Sequence, residues 1–325
     1  MRWLVYSILI VLLIGLNLAA GSTGWIELDW AMIFGDDPDG LQSRIVRDIR
    51  SPAILTAILS GSALGLSGLL MQVIFQNPLA GPGVMGVSSG GALAVSIAII
   101  LAPVGALSVT ILSMLGSTLV LAIILFASMR FRGSASLLIL GLMIGYIISA
   151  LISVLEYSAE AERLQRFIFW TLGGYHHVSW SEMPWLACPV LLAVLMLGLL
   201  HTRVDMLLLG EGHLRNLGFD FKKWRIVFFA LIGVLVGVVT AFCGPLAFIG
   251  LASPHIARMM TASDLNRKMI PHVILVSIII SLVSLHITQA HYIQVQIPLN
   301  AVLSIFGAPV VIWLLIKRPY VSSAS

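Results

Sequence analysis

The sequence predicts an all-α polytopic membrane protein, and three observations support that fold class. Of the 325 residues, 59% are hydrophobic and only 10% are charged, whereas a soluble domain carries roughly 25% charged residues. Long apolar runs recur along the chain without the two-residue alternation of a membrane barrel. Because every backbone N–H and C=O in lipid must be hydrogen-bonded inside the protein, these runs are predicted to be helices.

Ten apolar segments are candidates for membrane spans, since a helix needs roughly 20 residues to cross a hydrocarbon core about 30 Å thick. They cover residues 3–20, 53–75, 84–102, 106–128, 136–156, 184–201, 226–243, 246–258, 270–288 and 298–316. The first could be a cleavable signal peptide, but its length favours an uncleaved span. The third and eighth are short or interrupted by Gly and Pro, which requires protein or a water-filled cavity to cover the freed backbone groups.

The distribution of basic residues predicts the orientation, because cytoplasmic loops of membrane proteins accumulate Lys and Arg. If the N-terminus is inside and the spans alternate, thirteen of the 18 Lys and Arg residues fall on the cytoplasmic side. Ten spans with both termini cytoplasmic therefore fit best. The net charge of +4 is an orientation signal, and we expect membrane lipid and no nucleic acid as a partner.

Two long segments, residues 21–52 and 157–183, then lie on the outer side. The second contains Glu160–Phe167, which is predicted to form a short amphipathic helix at the membrane surface. Aromatic residues within and just after this segment would anchor it there: Trp170, Tyr175, Trp180 and Trp185.

Small residues dominate the second span and the stretch that follows it. Gly61, Gly65 and Gly68 are spaced to let neighbouring helices approach closely, which is how helices pack in lipid. Asn77-Pro78 and Pro82 then force the chain out of one helix and into another. Tight packing alone would account for each glycine taken singly.

Four sequence blocks together resemble the FecCD-type permeases, the membrane subunits of binding-protein-dependent importers for siderophores, haem and cobalamin. The blocks are residues 77–92 (NPLAGPGVMGVSSGGA), 208–218 (LLGEGHLRNLG), 244–258 (GPLAFIGLASPHIAR) and 307–315 (GAPVVIWLL). The resemblance covers essentially the whole chain, and it implies a location in a bacterial inner membrane. It implies ten spans in a single permease domain over residues 1–325, half of a two-subunit pore, two cytosolic ATPase subunits, and a periplasmic or lipoprotein-type binding protein.

The resemblance also assigns roles to residues. A coupling helix that docks on the ATPase is implied in the loop at about 203–225, although the residues alone also fit a solvated charged loop. Its members are Gly210, Glu211, His213, Leu214, Arg215, Leu217 and Gly218. A cytoplasmic gate is implied at Ser134, Ala135 and Ser136, which would equally suit any turn. The pore and packing motif comprises Asn77, Pro78, Leu79, Pro82, Gly86, Pro254, His255 and Arg258.

The outer side departs from the family pattern at two places. Arg50 matches the first arginine of an element that docks the binding protein, but Ala53 replaces the second, so that Arg47 is the expected substitute. Near the ninth span the family shows an aspartate, an arginine and a glutamate before the last proline. The matching positions here are Leu285, Gln289 and Gln296.

The predicted function is the permease subunit of an ATP-binding-cassette importer for a ferric siderophore, with haem or cobalamin as the alternative cargo. The chain contains no Walker motif, so ATP and Mg²⁺ are expected on the partner subunit. We expect no catalytic residue, cofactor or metal site in this chain, and we interpret the histidines as structural. An ion-coupled secondary transporter is the distant alternative. Whether the pore is a homodimer or a heterodimer is left open.

Overall fold

The structure is a computed structural model of a single chain, nearly all of it helical. It describes residues 2–21, 24–25, 40–101, 106–130, 134–209, 219–261, 265–289 and 297–317.

The described residues contain twelve α-helices and one short pair of strands. In chain order these are α1 (Arg2–Ala19), β1 (Ala20–Gly21), β2 (Gly24–Trp25), α2 (Leu41–Arg44), α3 (Ser51–Ile74), α4 (Val87–Ile100), α5 (Ala106–Arg130), α6 (Ser134–Ser158), α7 (Ala161–Thr171), α8 (Met183–Leu207), α9 (Phe221–Cys243), α10 (Ile249–Thr261), α11 (Asn266–Thr288) and α12 (Leu299–Lys317). A π-helical turn, Ile45–Arg50, joins α2 to α3. The two strands pair antiparallel.

Each of the ten predicted apolar segments falls on one of these helices, so the multi-pass helical fold is confirmed. Six helical stretches are long and apolar enough to cross a membrane: Leu41–Ile74, Ser108–Ala127, Leu138–Ser158, Met183–Leu207, Phe221–Cys243 and Asn266–Thr288. Helices α1, α4 and α12 are apolar but shorter, and α10 has 13 residues with Pro254 inside it. Ten complete crossings and the position of the termini remain predictions.

Helix α3 is the centre of the bundle. Of its most apolar 18-residue window, 89% is buried, whereas only 11% of the corresponding window of α6 is buried. Helices α11, α10, α9 and α8 all pack on α3, while α5 packs against α4 and α9 at one side. The second predicted span is therefore the helix around which the other helices are arranged.

The glycines of α3 lie where its neighbours come closest. A Cβ atom at Gly65 would lie 2.9 Å from the Ser277 Cβ of α11, and one at Gly68 would overlap the Gly250 carbonyl of α10. Both partner positions are small residues, so the helix backbones approach without side chains between them. The predicted close approach at these glycines is confirmed.

The long helices α3, α8, α9 and α11 run between two opposite ends of the bundle. We call one the Asn77 end, formed by residues 75–86, 203–209, 219–225, 255–261 and 265–269. The other is the Asn300 end, formed by residues 171–178, 243–248 and 297–300. The chain therefore crosses the bundle repeatedly between two sets of turns.

Gly68→Ala is expected to destabilise the fold, since the added methyl group overlaps a backbone carbonyl that cannot rotate away. Overpacking of this kind costs about 1–3 kcal/mol. The matched control is Gly15→Ala in α1, where a Cβ atom would meet nothing within 4 Å. Thermal unfolding of the two purified variants in one detergent measures the difference. Equal midpoints for Gly68→Ala and Gly15→Ala would show that α3 and α10 are not in close contact.

Candidate transport and coupling site

The turn after α3 is built around Asn77. Phe75 ends the helix, and Gln76 then takes a positive φ of 46°, which turns the chain back on itself. The buried Asn77 side chain accepts a hydrogen bond from the Leu79 N–H at 2.9 Å, a geometry that asparagine favours in turns. The prolines Pro78 and Pro82 flank this bend. The predicted interruption of the chain at Asn77 is present.

Helix α10 is hydrogen-bonded directly to this turn. The His255 Nε2 atom lies 2.7 Å from the Pro78 carbonyl oxygen, so the ring donates its proton there. Arg258 donates to the Gln72 side-chain oxygen of α3 at 3.0 Å. Pro254, inside α10, is buried and cannot donate a backbone hydrogen bond. The structure thus brings both halves of the predicted pore and packing motif together, although they are about 180 positions apart in sequence.

Gly86 ends the turn and begins α4. It has a φ of +70°, and a Cβ atom there would lie 2.9 Å from the Gly141 carbonyl oxygen of α6. Because an L-residue rarely adopts this φ and has no space here, glycine is required. Gly86 therefore fixes how closely α6 packs on the turn.

The same turn contacts the C-terminal end of α8. Gln76 donates from its side-chain amide to the Leu208 carbonyl oxygen at 3.3 Å. Asp205, one turn earlier, accepts hydrogen bonds from the Asn266 N–H at 2.7 Å and from the Asn266 amide at 2.9 Å. Asp205 thereby caps the start of α11 from a different helix, where a carboxylate stabilises the free N–H groups and the helix dipole.

Aromatic rings and an arginine connect the residues on either side of positions 210–218. The Arg203 guanidinium lies 5.9 Å from the Phe219 ring centroid and 5.4 Å from that of Trp224. Asp220 caps α9 by accepting from the Lys223 N–H at 3.0 Å. Each cation–π contact contributes about 0.5–1 kcal/mol at an exposed site. The end of α8 is therefore held against the start of α9.

The seven predicted coupling residues all fall within positions 210–218, which lie outside the described residues. The structure places residues 203–207 in α8 and 221–225 in α9, so the predicted loop is shorter than 203–225. The predicted gate residues Ser134, Ala135 and Ser136 form the first turn of α6, and the Ser136 side chain is exposed. The side chains of Ser134 and Ala135 are outside the description. The coupling role and the gate role remain predictions.

Arg50 does not have the exposed position that docking a binding protein requires. Its side chain is 3% exposed, and its guanidinium donates to the Leu18 carbonyl oxygen at 2.5 Å and packs on Gly21. It therefore bonds one of the last carbonyl groups of α1, groups that a helix leaves without intrahelical partners. Arg47 is exposed, and its carbonyl accepts from the Trp180 ring N–H at 2.9 Å. Of the two predicted docking arginines, only Arg47 offers its side chain at the surface.

The predicted amphipathic helix is present as α7, with Phe167 buried on its inner face. The expectation that Tyr175 is a surface anchor is wrong. Tyr175 is 1% exposed and lies beside Ser281 and Cys243 inside the bundle, where burial raises the pKa of its hydroxyl. Trp180 and Trp185 do remain about half exposed. Periodicity predicted the helix, but it could not show that the chain after it dips inward.

Gln289 takes part in a neutral contact at the Asn300 end. Its side-chain nitrogen lies 2.7 Å from the His176 Nε2 atom, and the amide donates to the unprotonated ring nitrogen. Desolvation by burial, followed by the charge of neighbouring His177, lowers the pKa of His176 from its ordinary value of 6.5. One of the positions where the family pattern has a charge is therefore used here for a neutral hydrogen bond.

Several residues at the two ends were missed by sequence reasoning. Asp205, Gln72 and Asn300 are polar residues at or near helix ends, and each bonds a partner far away in sequence. The position of Asn300 at the start of an apolar run was a usable signal of such a bond, since a polar residue is costly there without a partner.

Within the described residues, no three His, Cys, Asp or Glu side chains are placed to hold a metal ion.

The apolar helices, and the turns that interrupt them, are those of a multi-pass membrane protein. The chain belongs to the FecCD transport family, whose pattern matches residues 8–317. It is accordingly the permease component of an ABC importer.

Individual relatives cover almost the whole chain. It is 34% identical over 322 residues to the vitamin B12 import system permease protein BtuC of Shigella boydii serotype 18, covering 97% of this chain and 95% of the relative. The BtuC protein of Salmonella paratyphi A is 32% identical over 319 residues, with the same coverage.

Two solved structures share the fold. A metal-chelate type ABC transporter in an inward-facing conformation superposes with a TM-score of 0.84 and 27% identity, covering 96% of this chain and 98% of that chain. The PsaBC complex of Streptococcus pneumoniae, at 15% identity and a TM-score of 0.60 over 83% of this chain and 92% of that one, shows the fold alone.

The low pKa of His176 predicts how stability depends on pH. As the pH falls below 6.5, the unfolded chain takes up a proton before the folded chain does, so the contribution of this residue to stability decreases. His176→Asn is expected to flatten the decline of the unfolding midpoint between about pH 6.5 and pH 5.

The control for this measurement is His201→Asn, because His201 lies against the Gly198 carbonyl on the surface of α8, away from Gln289. The same pH profile for wild type and His176→Asn would contradict the assignment of a neutral His176.

Proposed function

We propose that this chain is half of the membrane pore of a bacterial inner-membrane importer for a large metal chelate, with a corrinoid as the first cargo to test. The observation that carries the proposal is the match to the FecCD family over residues 8–317. The relatives at 32–34% identity are named as vitamin B12 import permeases, and they cover 97% of this chain. These relatives favour cobalamin over the ferric siderophore that the sequence analysis placed first.

Ferric siderophore is the second candidate cargo. The likeness to a metal-chelate type ABC transporter, with a TM-score of 0.84, favours it. Haem is the third. All three cargoes are large chelates, so they require a wide passage with few fixed charges.

Helix α6 is our candidate for the wall of that passage. One face carries Tyr146, Ser149, Ser153 and Tyr157, which recur at the spacing of a single helix face. All four are exposed in the single chain, Tyr157 to 95% and Tyr146 to 68%. A stripe of hydroxyl groups facing lipid would lose hydrogen bonds to water, so this face is better suited to a water-filled passage or a second permease subunit.

The proposed orientation puts the Asn77 end in the cytoplasm and the Asn300 end outside. The Asn77 end carries the basic residues Arg203, Lys222, Lys223, Arg225, Arg267 and Lys268. It also flanks residues 210–218, the proposed docking segment for two cytosolic ATPase subunits. A binding protein would then deliver cargo to the Asn300 end, near exposed Arg47.

An ion-coupled transporter is less well supported, because such proteins place carboxylates in the middle of their spans. In the described part of the spans, the acidic residues Asp48, Glu156 and Asp205 lie near helix ends. Their placement does not provide a carboxylate path across the bundle.

Uptake measurements test the cargo. Cells that lack this subunit would receive labelled cobalamin, ferric siderophore or haem, with and without the gene restored. We expect a selective loss of cobalamin uptake that the gene restores. Selective loss of ferric siderophore uptake would move the second candidate to first place, and unchanged uptake of all three would refute the proposed cargo class.

Arg203→Ala tests coupling through the contact with Phe219 and Trp224. We expect cargo transported per ATP hydrolysed to fall about fivefold or more, with ATPase subunits still bound, since the two ends of the docking segment are no longer held together. The matched control is Lys222→Ala, which removes an exposed positive charge from the first turn of α9. An equal fall in cargo transported per ATP hydrolysed in both variants would show that the loss comes from removing a positive charge and not from losing the contact with the aromatic rings.

A further inference from the structure

Helix α9 ends at the Asn300 end, but below the surface of the bundle. The Ser60 hydroxyl of α3 lies 3.2 Å from the sulfur of Cys243, the last residue of α9. Ser60 is nine residues from the start of α3, or about 13 Å along a helix that rises 1.5 Å per residue. The chain from Gly244 to Phe248 therefore runs as irregular backbone at depth before α10 begins at Ile249.

Such a break leaves backbone groups without helical partners, and in lipid each unpaired group costs several kcal/mol. The structure shows what pairs with them. The Trp170 ring N–H donates to the Ala241 carbonyl at 3.1 Å, and the Gly174 N–H donates to the Cys243 carbonyl at 3.1 Å. Both donors come from the end of α7 and the turn that follows it.

Asn300, the second residue of α12, pairs with two more of these backbone groups. Its side-chain nitrogen donates to the Pro245 carbonyl at 2.9 Å and to the Thr171 carbonyl at 3.1 Å. Its side-chain oxygen accepts from the Ala247 N–H at 3.3 Å. Its own backbone N–H donates to the Leu172 carbonyl at 3.2 Å. One side chain thus uses both donors and its acceptor on two separate segments of backbone.

The space around this contact is closed. A Cβ atom at Gly173 would lie 3.0 Å from the Leu246 side chain and 3.3 Å from the Asn300 side-chain nitrogen. Gly173 has a φ of +74° and Gly244 a φ of +77°, values that suit glycine. The segments on both sides of Asn300 therefore fit against one another in one arrangement.

We propose that Asn300 is a positioning residue that joins α7, the break after α9 and α12 into one unit on the outer side of the bundle, through which binding-protein docking acts on the transport helices. The assignment rests on the proposed function, in which the Asn300 end is outside. Helix α10 follows the break directly and bonds the Asn77 turn through His255, so a displacement of the unit reaches the other end of the bundle. A unit that keeps its internal contacts and moves as a rigid body between two positions transmits such a displacement.

The main test replaces Asn300 in the full importer, reconstituted with its ATPase subunits and binding protein. Asn300→Ala removes three side-chain hydrogen bonds and keeps the backbone bond to Leu172. We expect hydrogen exchange at the Ala247 N–H to accelerate by roughly fivefold or more. We also expect stimulation of ATP hydrolysis by the binding protein to fall by about fivefold, with basal hydrolysis unchanged.

Two further variants separate positioning from general stability. Asn17→Ala is the matched control: Asn17 is a buried asparagine that donates to the Leu13 and Leu282 carbonyls, 2.8 and 3.2 Å away, at the same end of the bundle. It is expected to retain the stimulation. Gly173→Ala disturbs the same contact from the opposite side, so its effect should not add to that of Asn300→Ala.

The outcomes are distinct. Faster exchange at Ala247 with normal stimulation would make Asn300 purely structural and overturn the proposal. An equal loss of stimulation in Asn17→Ala, or additive effects in the double variant, would overturn it as well. If the wild-type importer shows no stimulation by any binding protein, the proposed function itself fails, whereas the exchange result at Ala247 still reports whether the contact exists.

Discussion

The need to pair every backbone N–H and C=O group inside the protein determines most of this structure. Helices meet that need by themselves, and their interruptions do not. The two breaks, after Ile74 and after Cys243, are therefore where polar side chains gather. Asn77 and His255 pair with groups at the first break, and Asn300 and Trp170 pair with groups at the second. Polar residues in this bundle are mainly a consequence of where helices stop.

Close packing provides the second constraint. Lipid tails are as apolar as the helix surfaces, so no hydrophobic effect drives the helices together, and close contacts must hold them instead. Helix α3 meets α11 and α10 through Gly65 and Gly68, where partner atoms occupy the space of a side chain. The hydroxyl groups nearby bond mostly within their own helices, as Ser67 does to Ala63 at 2.7 Å and Ser277 does to Val273. The interfaces around α3 therefore depend on shape, and hydroxyl bonds between helices contribute less.

The sequence was sufficient to predict the helices and the family, since apolar length and motif spacing are local properties. The Asn77 motif was predicted for the same reason. The inward position of Tyr175 and the burial of Arg50 were not, because each depends on what a distant segment places over it. Arg50 carries the charge that typically marks a surface residue, yet it bonds a carbonyl of α1. Partners such as Asn300 and Pro245, 55 positions apart, are set by the fold.

The two breaks are not independent, because the 13-residue helix α10 lies between them. Its first residue follows the backbone that Asn300 holds, and His255 and Arg258 on its later turns bond the Pro78 carbonyl and Gln72. At 1.5 Å per residue the helix spans about 20 Å. Pro254 removes one backbone donor within it, and Gly250 lets it lie directly against α3. A short helix fixed at both ends moves more readily as a body than by bending, which makes α10 the most direct connection between the two ends of the permease.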